Sequence, residues 1–125
     1  EYDFQEECFF LEVPLKNDRK QFVYLSDVTT TVSAPTVRFW TKVMDISTPN
    51  LKKKLTKDVL QELMRRNGLP PSRASFATDP EDNYVICLSD QLSETIDQKE
   101  FEEHLRNVAI MGDEREEAIT KRDKH

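Results

Sequence analysis

Apolar and polar residues change period several times along the chain, and each change marks an element. From Cys8 to Leu15 they alternate: Phe9, Leu11, Val13 and Leu15 fall on one side of an extended chain, and Cys8, Phe10, Glu12 and Pro14 on the other. A period of two is what a strand imposes, so a strand is predicted over 8–15. Pro14 has no N–H to give a ladder, which places that end at an edge or a turn. Asn17-Asp18 is a turn pair, and 19–26 (RKQFVYLS) resumes the extended pattern, completing a β-hairpin. The Thr- and Ser-rich stretch 27–35 ends on Pro35 and reads as a loop. A strand over 36–46 follows, with Val37, Phe39, Thr41 and Val43 on one face and Arg38, Trp40, Lys42 and Met44 on the other. Trp40 and Met44 are too apolar for a solvated face, so they are expected to meet a second layer or a partner.

The period then lengthens. Thr48 can cap free backbone donors and Pro49 suits a first helical position. Leu51, Leu55, Val59, Leu60, Leu63 and Met64 make an apolar stripe, and Gly68 with Pro70-Pro71 stops it, so a helix is predicted over 49–67. Residues 73–78 form a short strand, 79–83 a polar turn, and Tyr84–Leu88 (YVICL) a strand buried on both faces. Asp97 caps the last helix, with Ile96 and Phe101 as its hydrophobic staple. Phe101, Leu105, Val108 and Ala109 carry the stripe onward, and Gly112 is expected to end or weaken it. The order βββ–α–ββ–α predicts a single α+β domain over 1–119, an antiparallel sheet with helices packed on it, and a charged, frayed tail at 120–125. Phe39, Leu55, Leu63, Ile86 and Leu105, each central to its element, are expected to be buried together.

Charge narrows the choice of partner. Lys plus Arg number 18 and Asp plus Glu 24, a formal charge of −6 over 125 residues. Such a surface repels phosphate backbones, so nucleic acid is not an expected partner. No run approaches the roughly 18 apolar residues of a membrane span. Two cysteines, Cys8 and Cys87, sit inside apolar runs without metal or redox spacing, which fits a reducing, cytoplasmic setting. The chain starts at Glu1 rather than Met, which keeps open the reading that it is a structural subdomain of a longer protein.

Candidate chemistry is sparse. Glu100 and His104 share a helix face but are too few for a closed zinc site. Asp79, Glu81 and Asp82 lack the spacing of a calcium loop. Two glycines in the whole chain leave no phosphate-cradling loop. Lys52, Lys53, Lys54 and Lys57 read as a solvated helix face. Cys87 with His104 would be the pair for a small thiol-dependent enzyme, against which stands the apolar run around Cys87. The expectation is a non-catalytic protein-interaction domain without metal or cofactor, with Phe9, Phe10, Trp40 and Met44 as its protein-binding residues.

Two runs together carry a resemblance. One is the helix ending in Asn67-Gly68-Leu69-Pro70, then a strand with Arg73, Ala74 and Phe76, then the Asp79-Pro80-Glu81-Asp82-Asn83 turn. The other is the Tyr84–Leu88 strand, the polar segment 89–95, and a helix from Ile96-Asp97 through Glu100-Phe101 to Glu117-Ala118-Ile119. This resembles the C-terminal half of YbjN-like proteins, whose fold is that of the type III secretion chaperones. The predicted strands at 8–15, 19–26 and 36–46 fit the three-stranded meander of that fold, so the likeness spans 8–119. It implies an often dimeric domain without known catalytic residues that holds a client polypeptide against its surface, or acts as a regulator. The family begins with a helix before the first strand, whereas only Glu1 to Glu7 precede it here. A sheet short of cover is expected to self-associate as a homodimer, through Trp40 or the first hairpin.

Overall fold

The computed structural model describes residues 2–3, 8–27, 35–68 and 74–123, and side chains over 8–27, 35–68 and 74–119. Its elements are β1 (Tyr2–Asp3), β2 (Cys8–Pro14), a 3-10 turn (Lys16–Asp18), β3 (Lys20–Asp27), β4 (Thr36–Asp45), α1 (Pro49–Lys52), α2 (Lys57–Gly68), β5 (Ser75–Thr78), β6 (Tyr84–Leu92) and α3 (Gln98–Asp123). The strands form one six-stranded antiparallel sheet in the order β1-β2-β3-β4-β6-β5. The α+β arrangement is the one the sequence predicts, with three differences of detail. A two-residue strand precedes the meander, β6 continues to Leu92, and the first helix is two. The loop over 28–34 and the residues 69–73, with the Pro70-Pro71 stop and the start of the strand predicted at 73, lie outside the described residues.

The local chemistry explains the turns. Asn17 (φ 60°) and Asp18 (φ 58°) take the left-handed conformation that these two side chains tolerate, closing the β2–β3 hairpin. The Thr48 hydroxyl accepts from the Leu51 amide at 3.2 Å to start α1. The Thr56 hydroxyl accepts from the Val59 amide at 3.3 Å, capping α2 after a break at residues 53–56. At the acidic turn, Asp79 Oδ1 accepts from the amides of Asn83 (2.7 Å) and Tyr84 (2.9 Å). Asp97 Oδ1 accepts from the Glu100 amide at 2.8 Å, the cap read from the sequence.

Both layers of helix lie on one side of the sheet. Phe39 packs edge-on against Phe101 of α3, ring centroids 5.2 Å apart, and Val59 and Leu63 of α2 share the core with Phe76 and Val85. Val13, Val23, Phe39, Thr41, Cys87 and Val108 belong to this side, the last five at most 0% exposed. Leu55 and Leu105 pack at its margin. Ile86 does not join them. It is 4% exposed but alternates with Cys87, so it faces the opposite side of the sheet, between Lys42 and Ala77.

The helix does not stop at Gly112; it runs straight through. A Cβ at that position would overlap the Thr41 methyl, so glycine is there to let α3 lie against β4. Beneath it is a buried polar cluster. Gln21 Nε2 donates to Thr41 Oγ1 (2.7 Å) and to the Lys42 carbonyl (3.2 Å), and Thr41 Oγ1 donates to the Phe22 carbonyl (2.7 Å). Beside it Arg19 makes a two-pronged pair with Asp113, at 2.8 and 3.0 Å. Between α2 and α3, Glu62 collects Arg65, Arg66 and Arg115 at 2.9, 3.1 and 3.5 Å.

Two outcomes follow from this packing. Gly112→Ala is expected to destabilise the fold by about 1–3 kcal/mol through overpacking, less the ~0.5–1 kcal/mol that alanine returns in a helix. Adding Thr41→Ser removes the opposing methyl, keeps the hydroxyl, and should restore the denaturant midpoint; a midpoint that stays low would place the strain elsewhere. The second concerns acid. Hydrogen bonds from Arg65 and Arg66 lower the Glu62 carboxyl from 4.5 to about 2. A depressed carboxylate contributes stability above its unfolded pKa and loses it as pH falls from 4.5 toward 2. Glu62→Gln should therefore flatten the melting temperature's dependence on pH over that window, and an unchanged slope would remove Glu62 from the account.

Candidate functional site

The side of the sheet opposite the helices carries the site, and strand alternation decides which residues reach it. The β2–β3 register sets Phe10 opposite Tyr24 and Glu12 opposite Phe22; the β3–β4 register sets Tyr24 opposite Trp40. The result is a continuous aromatic stripe across three strands. Phe10 meets Phe22 edge-on at 5.6 Å and Tyr24 at 6.0 Å, and Tyr24 stacks on Trp40 at 4.4 Å with 20° between the planes. Phe22 is 41% exposed, and Leu92 on the same face of β6 is 48% exposed.

Polar groups along the stripe are already engaged. The Trp40 indole Nε1 donates to Ser26 Oγ at 2.9 Å. Arg38 pairs with Asp90 at 2.7 Å and Lys20 with Glu12 at 3.3 Å. Lys42 lies 4.3 Å from the Tyr84 ring centroid and 5.3 Å from that of Tyr24, and Lys20 lies 5.9 Å from Phe22. Hydrogen bonding to Asp90 raises the Arg38 pKa, and hydrogen bonds from Ser47 lower that of Asp45. With Arg38 and Lys20 paired to carboxylates and Lys42 set against two tyrosine rings, the face is mainly aromatic.

Of the four residues expected at a binding surface, Phe10 and Trp40 stand in this stripe. Phe9 is 60% exposed but alternates onto the helix side of the sheet. Met44 is a correction. The β4–β6 register shifts between Lys42 and Met44, and this bulge turns Met44 opposite Val85 and into the core, where it is 8% exposed. Phe22 and Tyr24 belong to the stripe although the sequence reading did not single them out. The signal was present: Lys20, Phe22, Tyr24 and Ser26 alternate with the buried Gln21 and Val23.

The thiol pair dissolves on inspection. Cys87 is fully buried, and desolvation pushes its thiol up to about 12. His104 directs Nδ1 toward Ser89 Oγ at 3.5 Å and sets its ring against Phe39. A protonated thiol without access is no nucleophile. Among the described residues no three His, Cys, Asp or Glu side chains gather as a metal site, and no helix is long and apolar enough to cross a membrane.

The fold is that of the type III secretion chaperones: an antiparallel α+β sheet with its helices on one side. In particular, the chain is similar to one in the heterodimeric ExoU–SpcU complex of the type III secretion system of Pseudomonas aeruginosa. The TM-score is 0.58 at 10% identity, over 94% of this chain and 86% of that one. No family model and no curated protein matches, so the YbjN-like half of the resemblance rests on sequence pattern alone.

The environment of Cys87 sets one expectation. A neutral-pH thiol reagent should modify Cys87 only in denaturant. Rapid labelling in the folded protein, with Cys8→Ser removing the other thiol, would reverse the assignment.

Proposed function

We propose that this chain is a non-catalytic interaction domain that binds another polypeptide, in the manner of secretion chaperones and YbjN-like regulators, and seats it on the aromatic sheet face. The observation that carries this reading is the stripe Phe10–Phe22–Tyr24–Trp40, half-buried at Phe10, Tyr24 and Trp40, exposed at Phe22, and without a covering helix among the described residues. Contiguous apolar area of this kind is scarce on proteins that act alone, and aromatic anchors dominate binding energy where partners meet. Because the polar groups beside the stripe have their partners, the client supplies apolar side chains rather than a particular charge. The structural neighbour comes from a heterodimeric complex, which supports a protein partner. Pairing of two copies belongs to the same reading, as does a reducing, cytoplasmic setting, which suits the two buried thiols.

The test is site-specific photocrosslinking. A photoreactive phenylalanine at Phe22 should capture a discrete client from the native host, while the same probe at Met64, 73% exposed on α2, should not. The purified client should then lose on the order of tenfold or more in affinity with Trp40→Glu, as truncated aromatic hot spots do. Equal capture from both positions, or full affinity in a folded Trp40→Glu protein, would reject this face.

A further inference from the structure

The β5 edge of the sheet is closed by a side chain that belongs to a chemically reactive pair. Asn67 lies half-buried in the last turn of α2, and its amide meets the backbone of Phe76 at both atoms. Nδ2 donates to the Phe76 carbonyl at 3.1 Å, and Oδ1 accepts from the Phe76 N–H at 2.7 Å. The carbonyl needs a donor and the N–H an acceptor, so an amide in this orientation serves both. The next residue is Gly68, exposed at the end of the helix. The chain's other asparagines precede Asp18, Leu51, Tyr84 and Val108, so Asn67 alone is followed by a residue without a side chain.

An asparagine amide next to glycine is open to attack by its own backbone. The Gly68 nitrogen bonds to Cγ of Asn67, its proton passes to water, and the Cγ–Nδ2 bond breaks to release ammonia. Water then opens the five-membered imide at either carbonyl. One product is aspartate. The other, which predominates, is isoaspartate, in which the chain runs through the former side-chain carbon. A Cβ on the following residue hinders the attack, which is why glycine matters here. We propose that Asn67-Gly68 is a self-modification site, timed by local opening of the α2–β5 junction, whose products uncap the β5 edge.

Two features of the fold hold the reaction back. At a helix C-terminus the unpaired groups are carbonyls, so the Gly68 nitrogen is kept in the ladder and away from Cγ. The bonds to Phe76 hold the amide itself in place. Neither restraint needs the core to open before it yields. Helix ends fray at low cost, and the buried Val59 and Leu63 of α2 lie a full turn or more before Asn67. After the reaction the cap does not re-form. A carboxylate has no N–H for the Phe76 carbonyl and sets a charged oxygen against it, and in isoaspartate its reach is also one carbon shorter. The Phe76 backbone is then an ordinary strand edge, open to an extended chain. This holds whatever binds the aromatic face.

Peptide mapping by mass spectrometry, combined with hydrogen exchange at the Phe76 amide, tests the proposal. In the folded chain at mildly alkaline pH, Asn67 should gain the mass of deamidation well ahead of the other asparagines. Its conversion should be slower than in denaturant by on the order of tenfold or more, and by no less than the protection factor of the Phe76 amide. The purified isoaspartyl product should lose that protection. Gly68→Ala should suppress conversion and leave the fold intact, because a Cβ there meets nothing within 4 Å and the backbone is not left-handed. Asn67→Asp should lower the denaturant midpoint relative to the native chain at neutral pH. That difference should close in acid, where a protonated carboxyl can donate to the Phe76 carbonyl. Conversion of the folded chain at the denatured rate, or at Asn67 no faster than at the other asparagines, would overturn the proposal. So would an isoaspartyl product that keeps Phe76 protected, or an Asn67→Asp deficit that persists in acid.

Discussion

The close approach of α3 to β4 is the constraint on which the remaining architecture depends. Gly112 over Thr41 brings helix backbone nearly against sheet, and few side chains could share that space. What fits is small and polar: the Thr41 hydroxyl, which bonds Gln21 and the Phe22 carbonyl and so satisfies itself without water. Because α3 is pinned there, Phe101 and His104 reach Phe39 at one end and Asp113 reaches Arg19 at the other. A single 26-residue helix thus covers the middle of the sheet, while the shorter α2 covers the β5 edge. No helix is left for the other face among the described residues, and the aromatic stripe is the consequence.

That stripe is stable as it stands because it is internally satisfied. Neighbouring aromatic rings in edge and stacked geometry interact beyond the area they bury. Lys42 between two tyrosine rings and Lys20 over Phe22 add cation–π contacts while keeping their ammonium groups near water. The same arrangement makes the face receptive. Covering it would desolvate rings without stranding the indole N–H, whose partner Ser26 is on the sheet itself, while the Arg38–Asp90 pair at its margin is best left in water.

Much of this was readable before the fold was known. Alternation in 8–15 and 36–43 sorts residues onto the two strand faces correctly, and the Asn17-Asp18, Thr48-Pro49 and Asp97 signals mark real turns and caps. What the sequence hides is non-local. The bulge that buries Met44 arises from the pairing of β4 with β6, and no pattern within β4 announces it. Gly112 reads as a helix breaker on propensity, because its reason lies on a strand some seventy residues earlier. YVICL reads as core on both sides, yet Ile86 and Cys87 face opposite sides of the sheet, Ile86 in register between Lys42 and Ala77 and Cys87 against α3 at Gly112. The aromatic stripe was half visible: Phe10 and Trp40 stood out as misplaced apolar residues, whereas Phe22 and Tyr24 became surface residues only once the register was fixed.

The sheet's edges bear on how any partner can be recognised. An exposed strand edge invites pairing with whatever extended chain arrives, since backbone bonding is indifferent to sequence. At one edge, the Asn67 side-chain amide donates to the Phe76 carbonyl at 3.1 Å and accepts from the Phe76 amide at 2.7 Å, taking the bonds a further strand would take. At the other, β1 pairs only Cys8 and Phe9, and the stretch of β2 beyond it ends in Pro14, which has no N–H to offer, beside the Glu12–Lys20 ion pair. Charged side chains and proline are the usual means of discouraging strand addition. With backbone pairing disfavoured at both ends, discrimination between partners falls to side chains on faces. On the face opposite the helices those side chains are mainly aromatic.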